Sequence, residues 1–508
     1  MPPTLRRSCA ACARIKHSCD LRTPRCSRCI KRGSECAYAN EPLTAVTAAP
    51  APVATRSTAV TIPPTGRSTS LTSLNIASTV DPFDTYPPTR LGREHVQRLI
   101  HGFLDKIAFQ YYPLELNACS NPFLISWWPM ALGDAALFHV TLQTACLDEE
   151  LRARRGSQMS DLLMADSVAL LRRKVDDGSL ALQDGTLNCV ITLAAIEFGK
   201  GNVKLGEMHV EGVKKLVSLR GGIGSVRETS PLTARMVSWV SMLIMGRPQF
   251  ETQTDGGLGP GIPPIHEWLV VGIDGDETLD ASQISALHDD IDPEVNTILT
   301  RLRKIFDRWK EGAVSPTRLH DLTCYVVHRL LRHSADKKTS PAGEALRYAT
   351  VIYMLTLQGP TYFPHVNLMR QMVSRLVCCL DQCSEDSETK PTGARSGADN
   401  HGCEDAPNGL VEFQETKSPP TTFHDRSSFD VWILLVGMVG AIGTPQYPWF
   451  AQRWVELAQI LQVRSWDDIL RHLNGLPWLS AERWERIFRE PWEAIFAPGH
   501  PEPPDLRV

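Results

Sequence analysis

No stretch of this 508-residue chain approaches eighteen consecutive apolar residues, so the sequence offers no helix long enough to span a bilayer. An export leader is missing too, because Arg6 and Arg7 lead straight into cysteines with no apolar run between. The expected setting is therefore intracellular, where thiols stay reduced. Period-two alternation is scarce, which argues against a β-sheet body.

Catalytic constellations are missing as well. His266 and Glu267 begin an H-E pair, but Val270 stands where a second zinc-binding histidine would be needed. Gly256, Gly257, Gly259 and Gly261 match neither a P-loop nor a dinucleotide fingerprint, and Pro260 interrupts them. Outside the first 36 residues, eight cysteines show no C-x2-C pairing and read as small buried hydrophobes or loop residues. Cys379 and Cys383 lie one helical turn apart, without a histidine nearby to complete a metal site. The sequence gives no ground for expecting an enzyme.

What is present is concentrated at the start. Residues 1–40 hold nine Lys and Arg against only Asp20 and Glu35, a net of +7 that leaves −11 for the remainder. A basic head on an acidic body suits a polyanion partner for the head alone. Six cysteines fall in the same stretch. Cys9, Cys12 and Cys19 follow C-x2-C-x6-C, and Cys26, Cys29 and Cys36 repeat that spacing. A C-x2-C turn aims two sulfurs at one zinc, and six further residues allow a short helix that returns a third. Two separate tetrahedral sites would need eight ligands. Six thiolates satisfy two zinc ions only by sharing two sulfurs, so the spacing implies a binuclear cluster. Three disulfides would be the other use of six cysteines, but such frameworks belong to exported chains.

These motifs, with Pro24 two residues before Cys26 and Lys16 four residues after Cys12, resemble the fungal zinc binuclear-cluster regulators. The resemblance implies that Cys9 and Cys26 bridge the two metals and that Pro24 shapes the loop between the halves. It further implies that the first short helix enters the major groove of double-stranded DNA and reads a CGG triplet. Lys16 falls at that family's base-contacting position. A cation there can donate to guanine O6 and N7, adjacent acceptors in the major groove. Arg14, His17 and Lys31 suit phosphates, which position a protein without reading sequence, and Arg6 and Arg7 join the DNA-binding set. Ala13 and Ser18 depart from the family pattern, which usually has basic residues there; fewer cations release fewer counterions. The alternative function is a zinc-stabilised scaffold that contacts protein or RNA without reading DNA sequence.

Residues 41–90 are rich in Pro, Thr, Ala and Ser, which suits a disordered linker, and they carry no a/d heptads for a coiled coil. From about Leu91 to residue 500, helical periodicity predicts a large all-α domain. Val96, Leu99, Ile100, Phe103 and Ile107 mark one face, Asp134 is placed to cap AALFHVTLQTACL, and Val295 to Trp309 gives the cleanest stripe. Flexible loops are expected near 251–283 and 384–426. The segments 206–223 and 448–478 are similar to the helical regulatory domain that accompanies such clusters. By that resemblance the body regulates and assembles, in the nucleus, with the transcription machinery. Its apolar stripes and tryptophans, among them Trp449, Trp454 and Trp466, suit a homodimer formed through the body. Gly437 and Gly440 interrupt an apolar helix, either for close helix packing or as a groove for a small apolar ligand.

Overall fold

The computed structural model describes residues 9–17, 19, 26–36, 86–154, 156–273, 292–310, 314–332, 340–359, 365–388 and 424–496. The longer helices are α1 (Ala10–Arg14), α2 (Ser27–Arg32), α3 (Arg93–Gly102), α4 (Ala135–Arg152), α5 (Gln158–Asp176) and α6 (Asp184–Gly199). They continue with α7 (Val203–Leu219), α8 (Gly222–Thr229), α9 (Pro231–Met245), α10 (His266–Ile273), α11 (Pro293–Trp309) and α12 (Pro316–Arg332). The last are α13 (Pro341–Gln358), α14 (His365–Glu388), α15 (His424–Gly440), α16 (Tyr447–Leu461), α17 (Trp466–Leu473) and α18 (Glu482–Phe496). Among the described residues the only strand-like pairing is an isolated bridge, Thr252 to Ile262. No helix there is long and apolar enough to cross a membrane. The chain divides into two compact units, one of Met1–Ile107 with Leu124–Cys189, the other of Ala108–Phe123 with Val190–Val508.

In the first unit, Asp134 caps α4 as its sequence position predicts, accepting from Ala136 N and Leu137 N. Residues 136–147 of α4 are buried all round, and the hydroxyls of Thr141 and Thr144 donate back to the Leu137 and Val140 carbonyls. Val96, Leu99 and Ile100 are buried on α3, and Phe103 and Ile107 extend that face through a π-turn. The ordered body starts earlier than composition suggests. Tyr86 stacks on Phe138 at 5.7 Å, Pro88 O meets His139 Nε2 at 2.9 Å, and Arg90 pairs with Asp166. A single aromatic ring and one buried ion pair anchor a segment whose average composition is that of a linker.

In the second unit, α11 buries Val295, Ile298, Leu299, Leu302, Ile305 and Phe306, with Asp292 as cap and Pro293 in the first turn. Tyr353 of α13 sits fully buried among Trp432, Trp478, Phe488 and Phe306, and its hydroxyl accepts from Leu479 N at 2.8 Å. Trp454 and Trp466, read from sequence as interface residues, are core residues instead. Half-exposed Trp449 carries Arg453 above its ring.

The stretch from 251 is also better ordered than its Gly and Pro content suggests. Trp268 is fully buried, its Nε1 donates to Asp255 at 2.8 Å, and Arg329 pairs with both Asp255 and Glu294. Gly261 permits this turn, because a Cβ there would stand 2.3 Å from Glu251 O. Residues 274–283 of that predicted loop lie outside the described residues. So does most of 384–426, where α14 runs on to Glu388 and α15 begins at His424. Residues 37–85 lie outside them too.

Gly437 and Gly440 are filled by packing. A Cβ on Gly437 would lie 2.3 Å from the Phe450 ring, and one on Gly440 would lie 2.5 Å from Ile352 Cγ2. Of the two readings of these glycines, close helix packing is the one the structure fits, with this chain's own side chains in the space a ligand would need.

Candidate metal centre and nucleic-acid interface

The two cysteine repeats fold alike. Cys9 caps α1 in extended conformation and its sulfur accepts from Cys12 N at 3.4 Å; Cys26 caps α2 and accepts from Cys29 N at 3.3 Å. Each helix ends after little more than a turn, and the chain reverses to bring the third cysteine home. Cys9 N then donates to Cys19 Sγ at 3.5 Å and Cys26 N to Cys36 Sγ at 3.3 Å. Four backbone N–H groups, those of Cys9, Cys12, Cys26 and Cys29, thus donate to cysteine sulfurs, as suits thiolates in a metal site.

The sulfurs form two quartets, Cys9, Cys12, Cys19, Cys26 and Cys9, Cys26, Cys29, Cys36, each with its atoms within 4.8 Å of one another. Cys9 and Cys26 belong to both, so they are the pair that would bridge two bound metals. Their sulfurs are 3.8 Å apart, Cys12 lies 3.7 Å from Cys26, and Cys29 lies 3.6 Å from Cys9. Four sulfurs each ~2.3 Å from a zinc stand roughly 3.8 Å apart in a tetrahedron. The donor set and its spacing therefore fit two zinc ions, and none of the six is in a disulfide. Burial pushes the Cys9 thiol up and raises Cys12 to about 11, so clustered thiolates need cations among them. The chain binds two zinc ions. Among the described residues no other group of three or more such ligands gathers.

Around this centre the surface is cationic. Arg14, Lys16, His17 and Lys31 are exposed, and none is held in an ion pair among the described residues. Arg6 and Arg7 lie outside the described residues. One detail differs from the sequence reading: Lys16 is not in the helix. Helix α1 ends at Arg14, Ile15 caps it, and Lys16 follows with φ +53°. His17 N donates to Cys12 O at 3.1 Å and closes the turn. Periodicity cannot show a left-handed residue, and glycine, the usual signal for one, is absent here. Two exposed apolar residues were also missed, Ile15 and Ile30, at 44% and 58% exposure. Their signal was available: each is a large apolar residue in a segment whose interior is metal rather than hydrocarbon.

A six-cysteine cluster inside a cationic shell, in a chain whose remaining described residues are mostly helical, is the arrangement of a zinc-cluster DNA-binding protein. Residues 7–45 match the Fungal Zn(2)-Cys(6) binuclear cluster domain, and residues 98–247 match the Fungal specific transcription factor domain. The chain carries both, and together they support a fungal transcription regulator with DNA binding; both families are transcription factor domains. No curated protein and no solved structure matches the chain.

Proposed function

We propose that the protein reads CGG-type triplets in double-stranded DNA and regulates RNA polymerase II genes in the nucleus. The observation that supports this most is the left-handed turn at Lys16. A non-glycine residue there is disfavoured by roughly 1 kcal/mol, and such conformations gather at functional sites. The turn ends α1 early, so an exposed lysine follows the helix, and no ion pair among the described residues holds its ammonium. In this reading Lys16 donates to guanine O6 and N7, while Arg14, His17, Lys31, Arg6 and Arg7 contact phosphates. The helical body brings two copies together and engages the transcription machinery.

Gel-shift titration with CGG-containing and scrambled duplexes tests it. Preferential binding of the CGG duplex is expected, and Lys16→Ala should remove about 1–3 kcal/mol of that preference. Equal binding of both duplexes by wild-type protein would favour the scaffold reading, in which the cluster serves protein or RNA contacts.

A further inference from the structure

Helix α7 turns one face inward through Gly206, Val210, Val213 and Val217. Its opposite face is unusually apolar for a surface. Leu205, Met208 and Leu219 are exposed there at 44%, 57% and 72%, three of the fourteen exposed large hydrophobics among the described residues. Positions 205, 208, 212, 215 and 219 recur at alternating three- and four-residue steps, the spacing of a seam between two helices.

Gly212 lies at the middle of that seam. Glycine lowers helix stability relative to alanine, so a helix-interior glycine needs a packing reason. Gly206 has one within the chain, since a Cβ there would stand 3.1 Å from Ala194 O. Gly212 has none: the nearest atom to its Cβ would be Val190 Cγ1 at 3.9 Å, an ordinary contact. Among the described residues nothing requires a glycine there, and its lack of a side chain leaves the helix open to close approach at that point.

The charges say what approaches. Glu207 and Glu211 flank the first part of the seam, while Lys214 flanks the second part and Lys215 lies in it. Lys214 is paired with Glu211 at 2.9 Å, while no ion pair among the described residues engages Glu207 or Lys215. A helix with acid towards one end and base towards the other is complementary to itself, reversed.

We infer that α7 is a self-association face, on which a second copy of this chain lays its own α7 antiparallel with the two Gly212 residues at the crossing. Leu205 then meets Leu219 of the second copy, Met208 meets its Leu216, and Glu207 approaches its Lys215. This rests on the reading that the helical body joins two copies, and it names the surface. One helix pair buries less than a standard interface, so a weak, transient dimer is expected.

The test is sedimentation equilibrium of the full zinc-loaded chain over a concentration series. Wild type should dimerise, and Met208→Glu and Leu219→Glu should each weaken the dimer by about tenfold or more, with unchanged circular dichroism. Glu207→Lys and Lys215→Glu should each weaken it by about threefold, and the double variant should restore it. A dimer indifferent to all four substitutions would overturn α7 while leaving assembly through the body standing. A chain monomeric on the order of 100 µM would overturn both. Single charge variants that weaken the dimer without rescue by the double would overturn antiparallel pairing.

Discussion

Lys16 and Gly33 occupy the same turn in the two halves of the zinc cluster, seventeen residues apart, and both have left-handed backbone, φ +53° and +61°. Each follows a short helix, and each precedes a residue whose N–H returns to a cysteine carbonyl: His17 N to Cys12 O, Ser34 N to Cys29 O, both at 3.1 Å. One half uses the residue that fits this conformation; the other uses a lysine that does not.

Exchange at these two positions separates stability from recognition. Lys16→Gly should stabilise the zinc-loaded head by up to about 1 kcal/mol, since it relieves a left-handed side chain. It should also abolish triplet discrimination. Gly33→Ala should cost about the same amount and leave discrimination intact. Thermal melts paired with gel shifts on the same samples check both halves, and a Lys16→Gly protein that still discriminates would remove lysine from base reading.

Chelation of zinc should unfold the head alone. Two metals are expected per chain in reduced protein, by elemental analysis. Their removal should abolish DNA binding while most of the helical circular dichroism persists, because the helices of the body close on apolar cores and not on metal. Loss of the bulk helical signal on chelation would contradict that separation.

The second unit should be sensitive to acid in two stages. Burial lowers both His320 and His328 to about 4, so unfolding lets them take up protons below the ordinary histidine value. Stability should therefore fall as pH drops from about 6.5 to about 4. Burial alone would raise the Asp321 carboxyl, but Arg235 and Arg227, each through two hydrogen bonds, hold it at about 2. Its depressed value stabilises the fold above the ordinary carboxylate range, and that contribution is lost as pH falls from about 4 to about 2. Asp321→Asn at neutral pH leaves two partly buried guanidinium groups without a counter-ion and should cost about 3 kcal/mol. Urea titrations at several pH values measure both stages, and an Asp321→Asn protein of wild-type stability would refute the second.

Gly437→Ala should destabilise by about 1–3 kcal/mol, although alanine is the better helix former, because its methyl would meet the fully buried Phe450 ring. Chemical denaturation decides it, and a stabilised variant would mean that α15 and Phe450 separate more easily than their packing suggests.

Much of this was legible in the sequence. The cysteine spacing carried the metal centre whole, because metal coordination leaves few ways to arrange six sulfurs. Asp134 and the stripe from Val295 announced their helices, since capping and amphipathic burial are local rules. Ordering at Tyr86 and Asp255 escaped notice because each depends on partners far along the chain, Phe138 and Arg329. Trp454 and Trp466 misled for the opposite reason: a tryptophan's size says that it will be buried, without saying against what. The turn at Lys16 was hidden because its residue type argues against it.

The sharing of Cys9 and Cys26 bears on how the protein responds to metal supply. Each quartet draws at least one sulfur from the other repeat, so neither half can complete a zinc site by itself. The first ion must gather both halves before it has four ligands, and in doing so it leaves two of the second ion's four sulfurs, Cys9 and Cys26, already together. Filling is then cooperative, and scarcity divides the population into empty and full molecules with few half-filled ones between. Native mass spectra at one zinc per chain should show the apo and two-zinc species outweighing the one-zinc species. Occupancy of DNA would follow zinc as a threshold rather than in proportion.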